Sequence, residues 1–410
     1  MQRKLKIVLF VSEFPQISET FIFNKFLALL EDGQNVHVVC QNSHIRNQNH
    51  FKGFKQKQDR VKVCWPHRPK LLAAMLMPIA LIRCCLFKPL KTFAYLARGY
   101  KQFGLDIFRK LYLDAEFIVL EPDILHFEFG ALSVGRTYLR ELLDCKLVVS
   151  FRGYDLNFSG LEKANYYEEV WKNSDAIHCL GNDLWLRAQK RGCPEDQTHF
   201  LIPPAIDADF FFRKTKENSE KIGTPDRPLR LLSVGRLEWK KGYEFAMQAV
   251  RLLKDQGFSI EYRIVGVGNY LEALTFCQHQ LNLEDTVILL GAKSREEVKD
   301  EMSRADVFLH AAVSEGFCNA VLEAQSMELP VVCSDADGLS ENVEDGVTGF
   351  VVLRRDAKSI LEKVACLMKD VNLRRQMGVN GRKRILNYFQ LSEQIKAFQK
   401  LYSEITGDNE

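Results

Sequence analysis

The sequence predicts two doubly wound α/β domains in tandem, each a parallel sheet covered by helices on both faces. Three observations carry this. A chain of 410 residues is too long for one ordinary core and fits two of about 200 each. Short apolar runs alternate with helix-period segments throughout, the pattern of strands buried on both faces. The alternation stops at Pro203-Pro204-Ala205-Ile206-Asp207, gives way to a polar run ending at Pro228, and then restarts.

In the first domain, 1–203, strands are expected at 5–11, 35–40, 61–64, 123–128, 146–150, 175–180 and 198–202. Helices fall at 19–31, 131–142 and 182–191, and residues 66–118 form a mostly helical insertion. The opening run Lys4-Leu5-Lys6-Ile7-Val8-Leu9-Phe10-Val11-Ser12 is too short for the apolar core of a signal peptide and reads as the first buried strand. Residues 204–228 form the linker. The second domain, 229–385, has strands near 229–234, 259–265, 285–290, 306–310, 329–333 and 349–352. The helical end, 386–410, is expected to return to the first domain.

Composition narrows the class. An apolar fraction of 46% with 27% charged residues is that of a soluble globular protein. Eleven scattered cysteines with no C-x-x-C pair make neither a disulfide framework nor a zinc spacing, so they read as reduced thiols of a cytoplasmic protein. The net charge of +3 conceals an asymmetry, because Phe51–Tyr112 holds 14 Lys/Arg against two acids. Inside that stretch, an apolar run from Leu71 to Ile82 is bordered by Lys70, Arg83, Lys88 and Lys91 and is too short and broken to span a bilayer. It suits a helix lying at an anionic membrane surface. The plainer reading is a helical lid with a solvated basic rim. No recognition motif accompanies the charge, so a nucleic-acid partner is not expected.

In open parallel sheets, ligands bind beyond the carboxyl ends of the strands, so the chemistry is sought in those loops, expected to face a shared crevice. The loop after strand 229–234 carries Arg236 and Lys241, two cations able to hold a diphosphate as it becomes a leaving group. The next strand ends in Val265-Gly266-Val267-Gly268-Asn269, which lacks the third glycine of a dinucleotide fingerprint and speaks against NAD. Gly266 and Gly268 would still let backbone approach a nucleotide. Strand 306–310 leads into Ser314-Glu315-Gly316-Phe317-Cys318-Asn319-Ala320-Val321-Leu322-Glu323, with a helix opening near Phe317. Amides left without acceptors at that helix start make an anion site. Glu315 and Glu323, on the order of 10 Å apart, suit the transferred sugar and the nucleotide ribose respectively.

These residues resemble the family-4 retaining glycosyltransferases of the GT-B fold. Arg236 and Lys241 match that family's donor-phosphate pair, and Glu315 with Glu323 its E-x7-E motif. Leu329-Pro330-Val331-Val332, Gly338-Leu339-Ser340-Glu341-Asn342 and Asp345-Gly346-Val347-Thr348-Gly349-Phe350 match the segments that follow. Two positions depart: Glu328 and Asp337 stand where the family has glycines. The D-x-D strings Asp207-Ala208-Asp209 and Asp335-Ala336-Asp337 are not read as metal sites, since this fold manages phosphate charge with Arg and Lys; no metal or other cofactor is implied.

In the first half, Ser12–Ile22 resembles the acceptor-side loop of the exopolysaccharide and colanic-acid branch, with Ser18 as a helix N-cap beside Glu19 and Thr20. That branch carries H-x-H-F-G where this chain has His126-Phe127-Glu128-Phe129-Gly130, so Glu128 replaces a histidine. His126 is a candidate acceptor contact or a satisfied strand residue. In Phe151-Arg152-Gly153-Tyr154-Asp155, Arg152 takes the place of another histidine, and Asp155 is a candidate for a sugar hydroxyl. A guanidinium cannot act as a base at neutral pH but can bind hydroxyls or a departing phosphate. The resemblance implies same-face substitution in which the leaving phosphate takes the acceptor's proton.

The expected function is therefore retaining transfer from a nucleotide-sugar donor to a glycan or lipid-linked acceptor in cell-envelope polysaccharide biosynthesis. The donor is a co-substrate, and the protein is cytoplasmic or peripheral at the inner face of the membrane. A non-catalytic glycan-binding partner and a nucleotide-sugar epimerase are the alternatives.

Overall fold

The computed structural model describes residues 4–16, 19–43, 54–66, 70–213 and 222–407, and divides the chain into two compact units. The first comprises the chain to Ile202, apart from Gly181–Asp183, together with the stretch from Gln394 onward. The second comprises Gly181–Asp183 and Pro203–Glu393.

The first unit is built on seven strands: β1 (Lys6–Phe14), β2 (Asn35–Ser43), β3 (Val61–Val63), β4 (Ile124–Phe127), β5 (Lys146–Phe151), β6 (Ala176–Cys179) and β7 (His199–Leu201). They form one parallel sheet in the order β3-β2-β1-β4-β5-β6-β7. The pairing of β1 with β4, Val8 opposite Leu125, is the point where strand order reverses. Helix α1 (Thr20–Glu31) links the first two strands. The helical insertion is α2 (Lys70–Phe87), α3 (Pro89–Phe103) and α4 (Asp106–Leu120). The expected helix 131–142 is two short pieces, α5 (Gly130–Ser133) and α6 (Leu139–Leu143), because Gly135 between them takes φ +72°. Then follow α7 (Gly153–Asn157), α8 (Glu168–Asn173) and α9 (Asn182–Lys190).

The second unit has six parallel strands: β8 (Leu229–Val234), β9 (Ile260–Val265), β10 (Val287–Leu289), β11 (Val307–His310), β12 (Val331–Ser334) and β13 (Gly349–Val352). Their order is β10-β9-β8-β11-β12-β13, so the reversal falls between β8 and β11. The helices are α10 (Tyr243–Asp255), α11 (Leu271–Gln280), α12 (Arg295–Arg304), α13 (Asn319–Ser326), α14 (Ala357–Lys369) and α15 (Val371–Tyr388). Two apolar clusters, one led by Leu231, Met247 and Leu253 and the other by Phe308, Leu322 and Val331, cover the two faces of this sheet.

The polar run expected as a linker is only partly one. Ile206, Ala208 and Phe211 are buried in the second unit's core, and Ile206 bridges to Gln390. Residues 214–221 lie outside the described residues. The last helix, α16 (Leu391–Thr406), packs into the first unit from Gln394 onward.

Candidate active site

The strongest constellation stands at the β8/β11 reversal, where loops leaving neighbouring strands part and open a crevice. After β8, the chain makes a 3₁₀ turn at Trp239–Lys241 that ends in Gly242, φ +61°. A Cβ there would lie 2.1 Å from the Ala311 carbonyl oxygen, so only glycine lets this loop lie along the β11 loop. Val313 N–H then donates to the Lys240 carbonyl at 2.8 Å, pinning the two loops together.

That pinning brings Lys241 Nζ onto Glu315 Oε2, a tight ion pair in which both side chains are nearly buried. His310, the last residue of β11, sits on the same oxygen with Nε2 at 3.3 Å. Burial alone would raise the Glu315 pKa, but Lys241 and His310 outweigh it and hold the group well below the usual carboxylate range. Burial disfavours the His310 cation, yet Cys318 and Glu315 push its pKa up to about 9. Two basic groups, Lys241 and His310, thus converge on one Glu315 oxygen, with the Cys318 sulfur beside them. His310 had no motif to announce it in the sequence. Its only signal is its place as the last residue of a strand whose loop carries Glu315.

Helix α13 begins at Asn319, two residues after Phe317, with Cys318 at the cap. Asn342 holds that start, accepting from Cys318 N–H at 3.1 Å and donating to the Cys318 carbonyl at 3.0 Å. One of the expected amides is thus already engaged. Those that follow in the first turn have no acceptor within the helix and point along its positive end. Gly316 and Cys318 are buried, while Phe317 and Asn319 are half-buried. Glu323, a little over one turn into α13, is half-buried, and burial, only partly offset by Arg295, raises its pKa to about 7.

Arg236 has a different partner: its side chain is 64% exposed and pairs with Glu238 at 2.9 Å. Gly266 and Gly268 answer to a different contact from the one expected. A Cβ on Gly266 would meet the Gly235 carbonyl oxygen at 1.9 Å, and one on Gly268 the Leu237 carbonyl oxygen at 2.2 Å. These glycines admit the β8 loop. The departures from the family's glycines keep the backbone glycine would take: Glu328 has φ +57° and Asp337 φ +52°. The Asp337 carboxylate accepts from Ser314 at 2.7 Å and from Arg354 at 3.1 Å, so its charge is matched. Asp335 pairs with Arg354 and Asp207 with Arg295, which engages each D-x-D string with arginine.

Among the described residues, His310, Glu315 and Cys318 are the one trio with metal-ligating atoms, all within 4.8 Å of one another. A divalent ion there would have to displace Lys241 from Glu315, and the cationic character of His310 opposes it further.

In the first unit, the loops beyond β4 and β5 hold a second cluster. Glu128 is fully buried and takes Lys25 Nζ on Oε1 at 2.6 Å and Arg152 Nη2 on Oε2 at 3.1 Å. The Arg152 guanidinium lies 4.0 Å from the centroid of the Phe21 ring. Asp155 and Glu19 also act on the Arg152 guanidinium.

Two expected acceptor contacts are corrected. Asp155 is 1% exposed, and its oxygens accept the backbone N–H groups of Ala131 (2.9 Å) and Arg152 (3.0 Å), so it braces the loop from a buried position that a sugar does not reach. His126 is fully buried within a chain of hydrogen bonds running Tyr402–His126–Ser150–His178–Ile202. The Ile202 carbonyl only accepts, so His178 Nε2–H donates to it at 2.9 Å, and His178 Nδ1 accepts from the Ser150 hydroxyl at 2.7 Å. Ser150 then accepts from His126 Nε2–H at 2.7 Å, and His126 Nδ1 accepts from Tyr402 at 2.8 Å. Burial, reinforced by Lys25, keeps both imidazoles neutral, His178 down to about 3. At the start of α1, the cap position is Glu19, without a side-chain cap, and Thr20 is exposed; Ser18 lies outside the described residues.

The model of the family described as glycosyl transferases group 1 matches residues 214–384. The chain carries a glycosyl transferase group 1 domain. It is 29% identical over 88% of its length to the putative colanic acid biosynthesis glycosyltransferase WcaL of Salmonella typhimurium, covering 90% of that protein. It is 26% identical over 87% of its length to the amylovoran biosynthesis glycosyltransferase AmsK of Erwinia amylovora, covering 89% of it. Among solved structures, a glycosyltransferase of Rickettsia africae superposes with a TM-score of 0.71 at 16% identity, over 99% of this chain and all of that one. Anabaena HepE, crystallised with UDP and glucose, gives 0.71 at 14% identity over 98% of this chain and all of HepE. The fold is that of the GT-B transferases, and the chain is a glycosyltransferase.

Proposed function

We propose that this glycosyltransferase moves a sugar from a nucleotide-sugar donor to a glycan or lipid-linked glycan, with retention of configuration, in cell-envelope polysaccharide biosynthesis. The carrying observation is the Lys241–Glu315–His310 cluster. It sets two basic groups, Lys241 and His310, at the mouth of a helix, where a diphosphate gathers charge as it leaves. In this reading Lys241, Arg236 and the α13 amides hold the diphosphate, Glu315 accepts from a sugar hydroxyl, and Glu323 accepts from the ribose.

The titration of the cluster bears on mechanism. Glu315 holds its proton too weakly to serve as a base, and His310 already carries one at neutral pH. Same-face substitution needs neither: the bond from the anomeric carbon to phosphate breaks, the acceptor oxygen bonds from the same side, and its proton passes to the leaving phosphate oxygen. No metal takes part. In the first unit, Arg152 offers its guanidinium to the acceptor. The likeness to the colanic acid transferase WcaL and the amylovoran transferase AmsK supports a polysaccharide product. The protein works in the cytoplasm or peripherally at the inner face of the membrane.

A panel of nucleotide sugars, each with and without lipid-linked acceptor, tests this, with the anomeric configuration of the product read by NMR. Inverted product overturns retention, turnover without acceptor favours an epimerase, and absence of nucleotide binding favours a non-catalytic protein.

A further inference from the structure

The helical insertion of the first unit exposes a run of large apolar side chains. Helix α2 buries Ala80 and Cys84 against α4, with Cys84 Sγ 3.8 Å from the Ala115 carbonyl and Arg83 paired to Glu116. Its opposite side is the anomaly. A surface helix ordinarily turns polar residues outward, yet from Leu72 onward every exposed position of α2 is apolar. Leu72, Met75, Ile79, Ile82 and Leu86 repeat at alternating spacings of three and four, and Met75 and Leu86 are 73% and 77% exposed. The stripe runs on across the Lys88–Pro89 break into α3, where Leu90 is 85% and Phe93 75% exposed.

The charges around it are mostly positive. Between Lys70 and Phe103 there are six Lys/Arg and no Asp or Glu, and over 70–121 there are eight against four. Lys88 and Lys91 stand at the break between the helices and share Glu121, with side chains 34% and 41% exposed. Arg98 and Lys101 follow on α3. Among the described residues, no helix is long and apolar enough to cross a bilayer.

We propose that the exposed face of α2 and the start of α3 lies in the headgroup layer of an anionic bilayer, its aliphatic side chains inserted and the Lys/Arg residues at lipid phosphates. Two features favour lipid over protein. A protein interface ringed by solvent carries a mixed polar rim. A helical seam shared with a second copy has charged residues flanking its apolar positions, and on α2 those flanks are apolar. Lipid tails ask for neither, and an apolar helix face with cations at its ends is what an interfacial helix presents. This deepens the reading of a lipid-linked acceptor, but the binding itself requires no donor, acceptor or turnover.

The test is flotation of the full chain with vesicles of phosphatidylcholine, with and without phosphatidylglycerol, in the absence of substrates. The wild type should float with the phosphatidylglycerol vesicles and be released by high salt. The variant L86D/L90D/F93D, altered only at exposed positions, should lose roughly tenfold or more of that binding while keeping wild-type nucleotide affinity and melting temperature. A wild type that stays unbound, or a triple variant that floats equally well, overturns the proposal. So does sedimentation equilibrium showing a vesicle-independent dimer that the triple variant abolishes, since the face then belongs to a second copy. Failure of sugar transfer with intact flotation counts against the transferase reading alone.

Discussion

Arg152 Nη2 lies 3.1 Å from Glu128 Oε2, so the two positions where this chain departs from the histidines of the transferases it resembles form one ion pair. Two changes that look isolated in the sequence are one buried pair in the fold. With Lys25 on the other oxygen, the carboxylate is the centre of the cluster. Glu128→Gln leaves two cations facing one another and should lower stability by roughly 3 kcal/mol, read as a shift in the urea midpoint. Arg152→Ala leaves Glu128 matched by Lys25, so the fold should survive while activity falls at least about tenfold. Equal losses of stability in the two variants would refute the arrangement.

At the donor cluster, Glu315→Ala and Lys241→Ala should separate binding from chemistry. Removing Glu315 frees Lys241 for phosphate, so nucleotide affinity by calorimetry should hold or rise while kcat falls by roughly 10²–10³. Lys241→Ala should weaken nucleotide binding and turnover together. A fully active Lys241→Ala enzyme would remove the basis for the phosphate assignment.

Donor recognition should depend on pH through Glu323. Its pKa, raised by burial to about 7, makes it a full acceptor only above neutrality. KM for the donor should therefore rise as pH falls below about 7, and Glu323→Gln should flatten that profile. An unchanged profile in the variant would place the titration elsewhere.

Stability has its own pH signature in His178. Its folded pKa, about 3, lies below the unfolded value, so the neutral ring stabilises the fold above about pH 6.5, and this is lost as pH falls towards 3. Between pH 7 and 5 this single group should withdraw about 2 kcal/mol. Urea midpoints for wild type and His178→Gln should converge across that interval; parallel curves would contradict the depressed pKa.

Chelation completes the set. EDTA should leave transfer unchanged, because Lys241 and His310 already hold the oxygen a cation would need. Loss of activity restored by a divalent metal would turn the His310–Glu315–Cys318 trio into a metal site.

The strands were legible because a strand covered on both faces must be apolar without interruption; β8 to β13 follow the six runs expected. The turn at Gly135 was hidden because a glycine within a helical pattern does not declare its φ. The packing of Phe211 was masked by the charged residues that follow it. At the site, Lys241 and Glu315 could be picked out because each lies on a loop beyond a strand. Which residue each would touch could not, since contacts across 74 positions are settled by the strand order. His126 and Gly266 show the limit: a residue type marks what a position can do, and only its neighbours decide whether solvent or backbone meets it.

The hydroxyl of Tyr402 closes a chain of donors whose other links come from strands made far earlier in synthesis. Until that helix leaves the ribosome, the imidazole of His126 lacks the Tyr402 hydroxyl, and the space beside His178 lacks the Phe398 ring that fills it. The core of the first unit cannot close as its strands emerge, and must wait for α16 to arrive.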